Sequence, residues 1–407
     1  MKLLERLRPF ADLLLGLALV AAVDFFAFHL GFYYPWLRPD SYSGRIEETS
    51  RRFAELRKAS PLRQVVVMSN STGGSCVAEE LVEKQLQEDG WPLAVANLSE
   101  GGSTARSWYH LLRHEQVDRA TTAVVILGVH PHGLVQGEDK PDLQIVKTRL
   151  ALADAAILPW SYEEREKQLQ VLSEVFFRTP LFRDDLHDFL AGPAARLVAV
   201  AKARQEEQRF RQGWRRAIAG RLNLTTVRLD AAGNLDLESV PPRLREDAGL
   251  VRQLGNVLRR KAELGGAPGT PMAIEPKQAH MLRATIEMLN EREIPVVVAV
   301  TPESPFPLTD NRIEVLEQLV SQLRAEGRQV LLYHDVPMLR TLERPVYFRD
   351  LLHLNVEGAG IYSRGLATFL ATAFAGSELE IEERRGVGRR QEDGRPDQGG
   401  DHQAADG

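Results

Sequence analysis

The sequence predicts an α/β protein. The expected form is a flavodoxin-like three-layer α/β/α domain with a five-stranded parallel sheet, a mostly helical insertion and an N-terminal transmembrane helix. Three observations lead there. Short apolar runs such as Gln64–Met68 and Pro295–Val300 alternate with helix-forming segments, as strands buried on both faces do. A helix-rich stretch between residues 134 and 270, too long for a loop, interrupts that alternation. The chain also opens on a basic segment that turns strongly apolar.

The amino terminus comes first. Lys2, Arg6 and Arg8 precede an apolar stretch running from Phe10 to Trp36, broken by Asp24. As one helix it is long enough to span a bilayer, with the basic flank on the cytoplasmic side. Asp24 is costly at membrane depth and calls for a polar partner. A cleaved signal peptide ending near Ala22, or a buried helix of a soluble domain, are the other readings. The anchor and signal readings both put the rest of the chain outside the cytoplasm, the anchor making it a single-pass protein of the cell membrane.

Residues 1–36 are thus read as the anchor and 37–62 as a polar linker helix. The sheet domain occupies 63–133 and resumes over 271–376, around the insertion at 134–270. The strands are expected at Gln64–Met68, Leu93–Asn97, Thr122–Leu127, Pro295–Val300 and Gln329–Tyr333. Inside the insertion, helices are expected at Gln144–Ala155, Tyr162–Phe177, Ala194–Ala219 and Pro242–Leu264, with a hairpin of Leu222–Leu229 and Asn234–Glu238. Phe210, Trp214 and Ile218 form an apolar stripe flanked by arginines, suited to packing or to a lid. Residues 377–407 are charged and glycine-rich, the composition of a disordered tail.

The 407 residues, 43% hydrophobic and 26% charged with a net charge of −5, suffice for one large domain or two modest ones. No basic, aromatic-laced groove points to nucleic acid. The lone cysteine, Cys76, rules out an intrachain disulfide and a multi-cysteine metal site, and reads as a small buried side chain. His130 and His132 lack a nearby third ligand, so neither metal nor cofactor is expected.

Ligands of an open parallel sheet bind beyond the carboxyl ends of its strands. Polar clusters follow each of the first four strands there, and the segment after the fifth holds Asp350 and His353 three residues apart. That spacing suits a general base and the carboxylate that orients it. Asn355 is the expected N-cap of the next helix, with Gly358 and Gly360 allowing close packing. Ser71 follows the first strand at a helix start, where free N–H groups could face an oxyanion. With His353 as proton acceptor, Ser71 becomes an activated nucleophile; Ser75 is the alternative.

These residues resemble the SGNH (GDSL-type) hydrolases. The first block is matched by Ser69-Asn70-Ser71-Thr72 with Gly74, and the last by Asp350-Leu351-Leu352-His353-Leu354-Asn355 with Gly358. The resemblance implies Ser71 as nucleophile, His353 as base and Asp350 as its orienter. It implies an oxyanion hole from the Ser71 N–H and a glycine N–H, Gly101 or Gly102. His130 stands where the family has an asparagine donor, and Ser69 where it has glycine. The likeness is to membrane-anchored members that move acyl groups on envelope polymers beside a membrane-bound O-acyltransferase. It implies an O-acyltransferase or esterase for a cell-envelope polysaccharide. A non-catalytic scaffold that binds polysaccharide or such a partner is the rival reading. Glu303 and Arg106 read as solvated side chains with a weaker claim to substrate, Arg106 to an anionic polymer.

Overall fold

The computed structural model describes residues 2–115, 117–130, 141–217, 226–263, 275–302 and 312–376. Strands β1 (Gln64–Ser69), β2 (Ala94–Asn97), β3 (Thr122–Val129), β4 (Val296–Val300) and β5 (Val330–Tyr333) pair in parallel in the order β2-β1-β3-β4-β5. Every residue of β1, β3 and β4 is buried, as strands covered on both faces require. Val66 lies beside Ala96 on one side and Val125 on the other, and Ile126 lies beside Val297.

Helices α1 (Lys2–Asp24), α2 (Tyr42–Ala59), α3 (Ser71–Cys76), α4 (Glu79–Glu88) and α5 (Ala105–His114) precede or separate the first three strands. The insertion holds α6 (Pro141–Val146), α7 (Arg165–Phe176), α8 (Thr179–Ala191), α9 (Pro193–Ala217), α10 (Pro242–Arg245) and α11 (Ala248–Glu263). Then come α12 (Pro276–Glu291), α13 (Arg312–Ala325), α14 (Val336–Leu342) and α15 (Val356–Ala375). Two helix pairs, α4 with α15 and α5 with α12, pack separately.

The insertion is more broken than its composition suggests. The first expected helix stops at Val146, and Thr179–Ala191 folds as an additional helix begun by Pro180. Of the expected hairpin, the described residues hold one bridge, Leu229 to Leu235. The Phe210, Trp214 and Ile218 side chains, His132, Glu303 and the 377–407 tail lie outside the described residues.

The transmembrane helix is not found: among the described residues no helix is long and apolar enough to cross a membrane. The uncharged run Leu13–Val23, between Asp12 and Asp24, is about 16 Å long as a helix, half of the roughly 30 Å hydrocarbon core. Past Asp24 the chain widens into a π turn, Phe25–His29, and leaves the helix. Asp24 is 2% exposed, enclosed by the protein's own atoms. Its carboxylate accepts from the Thr179 N–H at 2.6 Å, the Thr179 hydroxyl at 2.6 Å and the Arg178 N–H at 3.3 Å. It therefore caps α8 from outside the helix, tying the N-terminal segment to the insertion.

The expected linker helix, α2, is likewise part of the fold, with Ile46 and Phe53 buried in the core. At the end of β1, the buried Ser69 hydroxyl donates to the Gly128 carbonyl on β3. There is room because its neighbours are glycines: a Cβ on Gly73 would lie 1.9 Å from Ser69 Oγ, and one on Gly128 would lie 2.8 Å from it.

Two stability predictions result. Asp24→Ala leaves buried donors unpaired and lowers the unfolding free energy by about 1–3 kcal/mol in a denaturant titration. Gly73→Ala costs about 1–3 kcal/mol through overpacking, and adding Ser69→Gly recovers most of that loss because the side chain it strikes is gone.

Candidate active site

The strands are parallel, so their carboxyl ends share one edge, and the loops leaving them carry the candidate residues. Asn70 follows β1 in extended backbone and its Oδ1 accepts from the Gly73 N–H at 3.1 Å, capping α3. Ser71 is thus the first helical residue and is exposed. Ser75 lies one turn on, and its hydroxyl donates to the Thr72 carbonyl at 2.7 Å. Cys76 is buried, and burial pushes its thiol pKa upward.

After β2, Gly101 lies beside Ser71: a Cβ there would make an ordinary contact, 3.7 Å from Ser71 Cβ. Gly102 has φ +74, the left-handed region that favours glycine. The Gly101 N–H faces the Glu100 carboxylate, which is buried and bonded to Arg45 Nε and Nη2 at 2.7 Å each. Burial raises the Glu100 pKa against these contacts. His130, buried, is the first residue past β3.

Asp350 and His353 lie in a closed loop. Phe348 and Leu354, both buried, form an antiparallel bridge, with the Arg349 N–H donating to the His353 carbonyl at 2.9 Å. Asp350 Oδ1 accepts from the Leu352 and His353 N–H groups at 2.8 Å each, an Asx-type turn. His353 Nδ1 stands 2.9 Å from Oδ1 and 2.8 Å from Oδ2 of the same carboxylate. A carboxylate only accepts, so Nδ1 carries a proton, and in the neutral ring the lone pair is on Nε2. Burial pushes the Asp350 pKa up, but the His353 ring and the two N–H groups outweigh it and hold it below the ordinary carboxylate value. Asn355 caps α15 as expected, accepting from the Gly358 N–H at 3.0 Å. Gly358 is obligatory, since a Cβ would lie 2.7 Å from the Tyr347 carbonyl; Gly360 meets only ordinary contacts.

Helix α15 ties this loop to the sheet edge. The Tyr362 hydroxyl donates to the carbonyl of Val300 at the end of β4, and Ser363 bonds Ala78 N and Cys76 O at the end of α3. No hydrogen bond joins Ser71 to His353 among the described residues. Leu351, between the two dyad residues, is buried against Val227, Val240, Leu244 and Leu254 of the insertion. The insertion therefore grips the dyad loop from outside the main core.

A cavity of about 810 Å³ opens beside Ser71. Its lining includes Ser75, Glu100, Gly101 and Arg349, with α2 supplying Arg45 and Arg52. Helix α9 adds Val200, Ala203 and Arg204. Sequence reasoning missed Arg349 and Glu100, although each directly adjoins a residue it singled out. Arg106 is not solvated: it is 2% exposed, donates to the Ser161 carbonyl at 2.7 Å and stacks 4.1 Å above the Tyr162 ring. It joins α5 to the insertion.

A second His–Asp pair went unseen because its members lie far apart in sequence. His110 Nδ1 is 3.1 Å from Asp154 Oδ1, which also accepts from Arg113 at 2.7 Å. His110 and Asp154 side chains are 0% and 3% exposed, so this pair is closed to substrate, whereas those of His353 and Asp350 are 20% and 31% exposed.

No protein-family model matches the chain, and a search of curated proteins finds no match.

Proposed function

We propose that the chain is an SGNH-like serine acyl-transfer enzyme, an O-acyltransferase or esterase for ester-linked acyl groups of a cell-envelope glycan. The carrying observation is the Asp350–His353 pair, bonded through Nδ1 and partly open to solvent, on the domain whose sheet edge presents an exposed Ser71 at a helix start. In this reading His353 Nε2 takes the Ser71 proton as Oγ attacks the acyl carbonyl. The same ring then protonates the leaving oxygen. In the second half-reaction it removes a proton from the accepting sugar hydroxyl or water, which attacks the acyl-enzyme. Asp350 fixes the tautomer throughout. The Ser71 N–H and that of Gly102, or that of Gly101 once released from the Glu100 carboxylate, with His130 as a further donor, are the proposed oxyanion ligands.

The location belongs to the same proposal. Leu13, Leu15, Leu17, Leu19 and Val20 of α1 are each more than half exposed, as are Phe26 and Phe32. Such a surface supports attachment to a membrane or to a membrane-bound O-acyltransferase partner. The extracytoplasmic side is taken from the basic-then-apolar order of the amino terminus. The unmade Ser71–His353 hydrogen bond favours a second reading, a scaffold that binds glycan without reacting, although such bonds also tighten only with substrate.

Fluorophosphonate labelling of the full chain separates the two. The enzyme reading expects a labelled wild type, and loss of label in both Ser71→Ala and His353→Ala. Retained label in Ser71→Ala would move the nucleophile to Ser75, and an inert folded wild type favours the scaffold. Asp350→Asn should slow labelling by about 10²–10⁴-fold, as loss of a tautomer-fixing carboxylate does.

Asp350 also makes stability pH-dependent. Its folded pKa lies below its unfolded one, so its contribution is complete above the unfolded value and fades as pH falls through the folded value. Urea unfolding should show wild type more stable than Asp350→Asn at pH 7, with the gap narrowing towards pH 3.

A further inference from the structure

The arginines around the cavity are not equivalent. Arg45 is bonded to Glu100 at 2.7 Å, and Arg52 to Glu79 at 2.9 Å and to the Asn97 carbonyl at 2.6 Å. Arg51 is bonded to both Glu48 and Glu55, and Arg204 approaches Glu48 at 3.8 Å. Arg45, Arg51 and Arg52 are thus hydrogen-bonded to carboxylates, whereas Arg204 has only this longer contact.

Arg349 differs. Its guanidinium makes no hydrogen bond among the described residues, and its buried Nε is among the atoms without one. Its charged contact is with Asp350 Oδ2 at 3.7 Å, beyond hydrogen-bond distance. Asp350 does not serve Arg349 alone: its oxygens also accept from His353 and two backbone N–H groups. The side chain is 33% exposed, lines the same cavity as Ser71, and rises from a loop closed by the Phe348–Leu354 bridge. An arginine held at its backbone and unsatisfied at its fork is preorganised for a planar or tetrahedral oxyanion, which it can bind bidentately.

We propose that Arg349 is a substrate-recognition residue: it binds an anionic group, a carboxylate or a phosphate, on the molecule that occupies the Ser71 cavity. This rests on the cavity being the substrate site of the proposed enzyme, and it adds to that reading the charge of the substrate. The acyl group presented to Ser71 then belongs to an acidic molecule such as an acidic or phosphorylated sugar. A neutral glycan leaves the guanidinium with only its 3.7 Å contact to Asp350 and no hydrogen-bonded anion.

Calorimetric titration of the full chain at low ionic strength tests this with glucuronate, glucose 6-phosphate and glucose. Glucuronate supplies the carboxylate, glucose 6-phosphate the phosphate, and glucose the neutral control. At least one anion should bind about tenfold or more tightly than glucose, the order expected for a charge-assisted pair, and the preferred anion identifies the group. Arg349→Met should erase that preference. Arg349→Lys, which keeps charge without the fork, should retain only part of it and provides the reading if the methionine variant does not fold. Equal binding of all three ligands, or an anion preference unchanged in the folded variants, overturns the proposal. The enzyme reading fails separately: anion binding through Arg349 with an unreactive Ser71 removes catalysis alone. A labelled Ser71 with no anion preference removes this inference alone.

Discussion

The parallel pairing of β1 with β3 is the constraint on which the rest of the structure depends. It puts Ser69 opposite Gly128, so a side chain where two strands leave the sheet must fit between backbones. Ser69 fits because Gly73 and Gly128 carry no Cβ, and its hydroxyl crosses from one strand to the other. That contact fixes where β1 stops and α3 starts, and hence which side of the helix start Ser71 occupies. The strand valines are uniformly buried, so the sheet cannot slide to relieve a misfit there.

Buried carboxylates organise the parts that the sheet does not reach. Asp24 caps α8, Asp154 holds His110 and Arg113, Glu100 holds Arg45, and Asp350 holds His353. For Asp24, Asp154 and Glu100 a charge withdrawn from water is matched by donors from a distant segment, which is what makes its burial tolerable, whereas the donors to Asp350 come from its own loop. The first three are 2–6% exposed and brace the molecule. Asp350 alone combines such bonding with a histidine that solvent reaches. Accessibility, rather than the presence of a His–Asp pair, distinguishes the candidate site.

The regular part of the fold was legible in the sequence. Strands made of valine and isoleucine can be read because burial on both faces leaves them no polar positions, and the structure extends β1 and β3 by only a residue or two. Asn355 could be read as a cap because the helix after it is strongly apolar. The N-terminal segment misled, since hydropathy alone does not register that Asp24 has partners some 150 residues away, at Arg178 and Thr179. The extra helix α8 escaped notice because its start is held by Asp24, at the end of α1, some 150 residues away. At the candidate site, the Asp350–His353 bond follows from an Asx-type turn and was visible as a spacing. The state of Arg349 and the closed His110–Asp154 pair depend on packing between segments remote in sequence, for which no local pattern exists.

The central claim is that Ser71 carries the acyl group. Acid quenching during turnover of p-nitrophenyl acetate, followed by peptide mass mapping, measures this most directly. An acetyl group on Ser71, accumulating in wild type and absent in His353→Ala, is the predicted result. Acetyl on Ser75, or turnover with no acyl-enzyme on this segment, would contradict it.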